Sequence, residues 1–212
     1  MHETGGVHER SEPSIDSPSR GETLIGQRTA GGTIGEVLHL FAEQGDLHFG
    51  EVISQRSHAL QTALAACAAG ADDELVAAAL LHDVGHFVSD RSLGSEEDPD
   101  TEDDHHEAVG AQWIAKRFEA RVARAVALHV IAKRYRCTVD HAYYDQLSDA
   151  SKESLRIQGG TLDEEAARRF EEHPGFHDAL FIRDCDEAGK EDVRDAVTLG
   201  AFVDVLQRVA RT

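Results

Sequence analysis

At 212 residues, 41% of them apolar and 29% charged, the chain is long enough and ordinary enough in composition to build one domain around a real core. Its formal net charge of −19 argues against a nucleic-acid partner, because a polyanion is repelled before any base can be read. No long apolar run and no basic-then-apolar leader is present, so neither a membrane span nor a secretion signal is expected, and Cys67, Cys137 and Cys185, without CxxC spacing, fit a reducing cytoplasm.

In chain order, residues 1–33 are rich in Gly, Ser and charged side chains and carry Pro13 and Pro18, which predicts a disordered arm ahead of a catalytic domain over 34–212. Ile34, Val37, Leu38, Leu40 and Phe41 recur at helical spacing behind Thr33, a suitable N-cap. His58, Leu60, Ala63, Leu64 and Cys67 mark a second helix that Gly70 stops. The apolar run from Leu75 to Leu81 continues into His82-Asp83-Val84-Gly85-His86, and its pattern predicts a helix over 72–86. Residues 90–104, dense in Asp and Glu and holding Pro99, predict an exposed acidic loop that lacks the spacing of a calcium site. Further helices are predicted at 105–118, 120–135, 144–157, 163–173, 176–187 and 192–210. Strand-like alternation is nearly absent. The expected fold is all-α, a helical bundle whose interior can host a metal site built from facing helices.

The His82-Asp83 pair ends an apolar helix, and an adjacent His and Asp can each hold a different metal ion. His58 lies upstream and His106, His129 and Asp186 lie downstream, again in apolar helical segments. A lone His in such a place is more often a packed core residue. Uncompensated charges there would cost several kcal/mol each, so a metal is the economical explanation of the whole set. Imidazole with carboxylate suits iron, manganese, zinc or nickel, and a carboxylate can bridge two ions where an imidazole cannot. The six residues therefore read as a two-metal box with Asp83 across its centre. Lys133 follows His129 by four residues and Arg183 precedes Asp186 by three, so each cation shares a helical face with a candidate ligand and suits an anion in the same cavity. His86, one turn beyond His82, is expected to touch the cavity or the substrate without ligating.

The pattern His58, His82-Asp83, Asp186 resembles the HD-domain superfamily of helical metal-dependent phosphohydrolases and oxygenases, and the extra His106 and His129 point to its dinuclear branch. The blocks Phe49-Gly50-Glu51, Ser57-His58-Ala59-Leu60-Gln61, Ala79 through His86, His106 through Ala111, His129 through Tyr135, Leu147 through Ser151, Gln158-Gly159-Gly160 and Ile182 through Asp186 resemble, in order, the 2-amino-1-hydroxyethylphosphonate dioxygenase family. That resemblance implies a mixed-valent di-iron centre, Fe(II)/Fe(III), with O2 as co-substrate and a small anionic phosphonate as substrate. The implied reaction cleaves the carbon–phosphorus bond of a 1-hydroxy-2-(amino or trimethylammonio)ethylphosphonate to phosphate and a glycine- or betaine-type carboxylate. It further implies that Ser151 and Ser154 complete a phosphonate pocket with Lys133 and Arg183, and that Glu51 meets the ammonium group. Where the family carries a tyrosine able to reach the iron, this chain has His48, followed by Phe49. Tyr135, Tyr143 and Tyr144 join Phe49 as candidate walls for a quaternary ammonium. The same ligands would also serve a metal-dependent phosphohydrolase, with Asp83 bridging two ions that activate water. Substrate amine, metal identity and oligomeric state are left open by the sequence.

Overall fold

A helix that is apolar on every side belongs in the middle of a bundle, and each residue from Leu75 to Leu81 is buried. The computed structural model describes residues 31–48, 53–89, 105–190 and 197–211. The expected arm up to residue 30, the acidic loop over 90–104 and the segment holding Phe49 and Glu51 lie outside the described residues.

Among the described residues there are twelve α-helices and no strand. In order they are α1 (Thr33–Gln44), α2 (Gln55–Ala68), α3 (Asp73–Leu81), α4 (Val84–Val88), α5 (His106–Ala115), α6 (Ala120–Ala127), α7 (His129–Val139), α8 (His141–Gln146), α9 (Asp149–Ile157), α10 (Glu164–Glu171), α11 (Phe176–Ala188) and α12 (Val203–Val209). A short 3-10 turn, Leu199–Phe202, leads into α12. The central α3 packs against α2, α6, α11 and α12, and its run of Ala77, Ala78 and Ala79 admits their close approach. Val37, Phe41, Leu80, Leu81, Ile114, Phe118, Val122, Val126, Ile182 and Leu206 fill the main core around it.

Local chemistry sets the helix ends. Ser54 and Asp72 cap α2 and α3 by accepting hydrogen bonds from the backbone N–H of Ser57 and Leu75, at 3.2 and 3.1 Å. Gly70, at φ 75°, ends α2: its own N–H donates to Cys67 O, and the N–H of Ala71 donates to Ala66 O. Thr33, in contrast, is the first helical residue of α1 rather than its cap, a position that Gly32 occupies at φ 81° without a side-chain hydrogen bond.

Four predicted helices are shorter or broken. The helix over 72–86 stops at Leu81 and restarts at Val84, with Asp83 at φ −100°, ψ 10°. The helix over 120–135 breaks at Leu128, φ −104°, ψ −2°. The helix over 144–157 divides at Leu147 into α8 and α9, and of the one over 192–210 the structure describes a 3-10 turn and α12. Neighbours on a regular helix diverge by about 100° around its axis. The first break therefore lets His82 and Asp83 turn their side chains into one cavity, and the second opens α7 with His129.

Candidate metal centre

Six side chains meet beside the end of α3. His58 comes from α2, His82 from the end of α3, Asp83 from the break, His106 and His129 from the first residues of α5 and α7, and Asp186 from α11. Five of them are buried, and the Asp83 side chain is 19% exposed.

Backbone carbonyls fix the imidazoles. His82 Nδ1 lies 2.8 Å from Ala79 O, His129 Nδ1 2.7 Å from Val126 O, and His58 Nδ1 3.2 Å from Gly189 O. A carbonyl only accepts, so each Nδ1 carries the hydrogen and each Nε2 turns its remaining valence to the cavity. The first two acceptors sit three residues before their histidine, just ahead of the two helix breaks. The same irregularity thus aims the ligand and anchors it.

The Nε2 atoms come in pairs: His58 with His82 at 3.2 Å, and His106 with His129 at 3.2 Å. Asp83 stands between the pairs. Its Oδ2 is 3.2 Å from His82 Nε2 and 3.8 Å from His58 Nε2, while its Oδ1 is 3.5 Å from His129 Nε2 and 3.7 Å from His106 Nε2. Asp186 adds its Oδ1 to the first pair, 3.2 Å from His58 Nε2 and 4.0 Å from His82 Nε2. Two facing nitrogen lone pairs repel unless a cation or a proton lies between them. An ion bonded to nitrogen at about 2.1 Å sets neighbouring ligands about 3 Å apart, so the donor set fits metal. His58, His82 and Asp83 form one group able to hold an ion, and Asp83, His86 and His106 form another. His86 reaches the second group by stacking on His106, with ring centroids 4.0 Å apart.

Charge in the cluster favours a cation too. Burial alone would lower the pKa of His82, but Asp83 and Asp186 outweigh it and raise it to about 9. Burial likewise works against the charge of Asp83 and Asp186. The imidazoles of His82 and His129 nevertheless hold Asp83 well below the usual carboxylate range, and Arg183 and Lys190 with His58 do so for Asp186.

Beside the carboxylates lies a patch of cations and hydroxyls. Lys133, buried on α7, donates to Ser154 Oγ at 2.8 Å, and that hydroxyl donates to Ser151 O at 3.1 Å. Burial and the charge of Arg183 push the Lys133 ammonium down to about 7. Ser148, not Ser151, caps α9, which leaves the buried Ser151 Oγ to accept from Lys190 Nζ at 2.5 Å. Lys190 also lies 3.2 Å from Glu187 and 4.0 Å from Asp186. Sequence reading missed Lys190, although its place one turn after Asp186 repeats the His129–Lys133 spacing. Arg183, read from the sequence as a substrate contact, gives Nη1 to Asp186 Oδ2 at 2.5 Å and Nε to Tyr143 Oη at 2.5 Å, and it pairs with Glu187.

Other expectations sort as follows. Glu107, next to His106, turns a buried oxygen to 4.0 Å from His106 Nδ1. His105 is exposed where His106 is buried. His48 is exposed at the end of its described segment. Tyr135 packs with Phe170 and Phe176 and donates to Glu171, and the exposed Tyr144 lies under Lys152, so of the three candidate tyrosines Tyr143 is the one in contact with the ion network. All three cysteines are unpaired.

Comparison with known proteins identifies the family. The family model described as HD domain matches residues 56–158. The chain is 37% identical over 171 residues to 1-hydroxy-2-(trimethylamino)ethylphosphonate dioxygenase (glycine-betaine-forming) of Leisingera caerulea, covering 80% of this chain and 86% of that protein. It is 38% identical over 173 residues to hydroxymethylphosphonate dioxygenase of Gimesia maris, covering 80% of this chain and 84% of the relative.

Proposed function

The chain belongs to the HD-domain family, and from that membership we propose an O2-dependent di-iron oxygenase that cleaves the carbon–phosphorus bond of a 1-hydroxyphosphonate to phosphate and a carboxylate. The observation that carries the dinuclear part is Asp83, one oxygen toward each imidazole pair. In this reading His58, His82 and Asp186 would hold one iron and His106 and His129 the other, with Asp83 serving both, as an Fe(II)/Fe(III) pair. The names of the two relatives support the reaction class. Bound iron supplies the one-electron chemistry with O2 that breaking a C–H and a C–P bond requires.

The protein's share is binding, charge and the exclusion of water. Asp83 and Asp186, kept ionised, offset the charge of the ions. On the cavity side the second half takes one carboxylate, Asp83, among the described residues, with Glu107 behind His106 at its Nδ1, which leaves room for substrate oxygens. Lys133 and Lys190, each already on a serine hydroxyl, neutralise the phosphonate together with Ser151 and Ser154 and override locally the net charge of −19. Arg183 braces Asp186 and is assigned to the phosphonate beside Lys133. His86 holds the ring of His106 and touches the reacting group. Glu51 is assigned to the ammonium of an amino or trimethylammonio substrate. A hydroxyl and a phosphonate on one carbon is the part common to the substrates in the two relatives' names, so it is the part to which these anchors are assigned.

Oxygen separates this function from hydrolysis by the same ligands. Iron-loaded protein is expected to release phosphate from hydroxymethylphosphonate, from 2-amino-1-hydroxyethylphosphonate or from its trimethyl analogue only when O2 is admitted, with matching O2 uptake. Equal phosphate release under strict anaerobiosis would favour a phosphohydrolase.

A further inference from the structure

Two glycines approach the centre more closely than any other residue could. A Cβ on Gly85 would stand 1.9 Å from His106 O, 2.6 Å from His106 C and 2.9 Å from His106 Cα. All three are backbone atoms of a ligand, so no rotamer change relieves the contact. On the far side of the centre, a Cβ on Gly189 would stand 2.2 Å from Thr62 Oγ1 and 2.9 Å from Thr62 N. Thr62 is buried, and its hydroxyl is committed to His58 O at 2.9 Å. Gly189 lies at φ −74°, within reach of any residue, so its backbone angle does not call for glycine and the close approach does.

Each approach delivers a ligand. Gly85 lets α4 cross the start of α5 so that His106 faces Asp83 and stacks on His86. Gly189 lets the end of α11 press on α2, where its carbonyl receives His58 Nδ1 at 3.2 Å, three residues after Asp186. We propose that Gly85 and Gly189 are positioning residues that set the two halves of the metal centre separately, Gly85 the His106–His129 half and Gly189 the His58–His82–Asp186 half. The inference rests on the dinuclear reading. A Cβ at Gly85 forces the two backbones apart by about 1 Å, and metal–ligand distances tolerate about 0.2 Å. A displaced His106 therefore no longer completes its half, while His58, His82 and Asp186 stay where they are.

The test counts iron per chain by elemental analysis and measures the two affinities by chelator competition, with circular dichroism as the folding control. Wild type is expected to hold two ions. Gly85→Ala is expected to hold one, which a further His58→Ala removes and a further His129→Ala does not; in Gly189→Ala the two outcomes exchange. Gly110→Ala presses on the same crossing more gently, its Cβ standing 3.0 Å from Gly85 N and 3.3 Å from Gly85 Cα. It is expected to weaken the His106–His129 ion about tenfold, the range found when supports of a ligand are changed. If Gly85→Ala does not fold, Gly110→Ala decides. Wild type with two ions and folded glycine variants that keep both at unchanged affinity, or lose both together, would overturn the proposal. Wild type with a single ion would instead defeat the dinuclear reading beneath it.

Discussion

Around His58 and His82 a second carboxylate, Asp186, closes the cluster, and Asp186 is gripped by Arg183, which Tyr143 and Glu187 grip in turn. Around His106 and His129 Asp83 is the one carboxylate facing the Nε2 atoms among the described residues, and behind His106 stand the stacked ring of His86 and a Glu107 oxygen 4.0 Å from its Nδ1. The same two ligand types thus build a braced half and an open half on one shared aspartate. The second carboxylate, Asp186, and the Arg183 network that holds it make the difference, and they suit that half to retention.

Removing the shared element should erase the contrast. Asp83→Ala is expected to lose both ions and all turnover, read by iron analysis and O2 uptake. Retention of one ion would mean that the halves do not share a bridge.

Changing the brace and the anion side in turn should sharpen it. Arg183→Ala removes the buried guanidinium paired with the buried Asp186, and breaking a buried pair costs about 3–5 kcal/mol. The expected result is a lower urea midpoint and loss of the ion at His58, His82 and Asp186. Lys133→Ala should leave both ions in place and lower kcat/KM roughly ten- to a hundredfold, since a charge-assisted hydrogen bond contributes about 1.5–3 kcal/mol. If Arg183→Ala keeps both ions and slows turnover alone, Arg183 belongs to the substrate side only.

Protons provide the smallest and most discriminating comparison. In the metal-free protein His82 is raised from 6.5 to about 9, so its proton stabilises the fold below pH 6.5 and that contribution fades as pH rises through 9. Iron needs the Nε2 that this proton occupies, so loading at about pH 8 should release a proton, and affinity should rise with pH toward 9. Lys133 moves the other way, from 10.5 down to about 7. The unfolded chain binds the extra proton between those values, so stability from this group is full above 10.5 and lost as pH falls through 7. A phosphonate favours charged Lys133 and should draw a proton in at about pH 8. Titration calorimetry in buffers of different ionisation enthalpy reads both signs, and proton release on phosphonate binding would remove Lys133 from the pocket.

Much of the centre was legible because its ligands are chemically conspicuous. Histidines and aspartates embedded in apolar runs, as at His82-Asp83 and His129, demand a partner wherever the chain goes. The helix breaks were not legible, since no Pro or Gly marks Leu81–Asp83 or Leu128, and apolar spacing runs on across both. Those breaks are imposed from outside, by the need to bring neighbouring side chains into one cavity. The surroundings of Arg183 were legible only in part, for a related reason. Spacing along α11 puts it beside Asp186, but Tyr143, which takes its Nε, comes from another helix that no local pattern connects to it. Lys190 shows the opposite case, a spacing signal present and passed over.

The buried Lys133 in a chain of net charge −19 divides substrate uptake into two ranges. A dianion arriving by diffusion meets the repulsion of the whole surface first, and the lysine acts only near contact. Ionic strength acts on the first range, because mobile ions screen exposed charge beyond about 8 Å at 0.15 M. The second range, enclosed by protein, is screened far less. Added salt should therefore quicken the encounter and leave the dwell time nearly alone, the reverse of an enzyme whose outer field draws its substrate in. On the proposed assignment of Lys133, the medium sets how often the pocket is found and the lysine how long it stays filled.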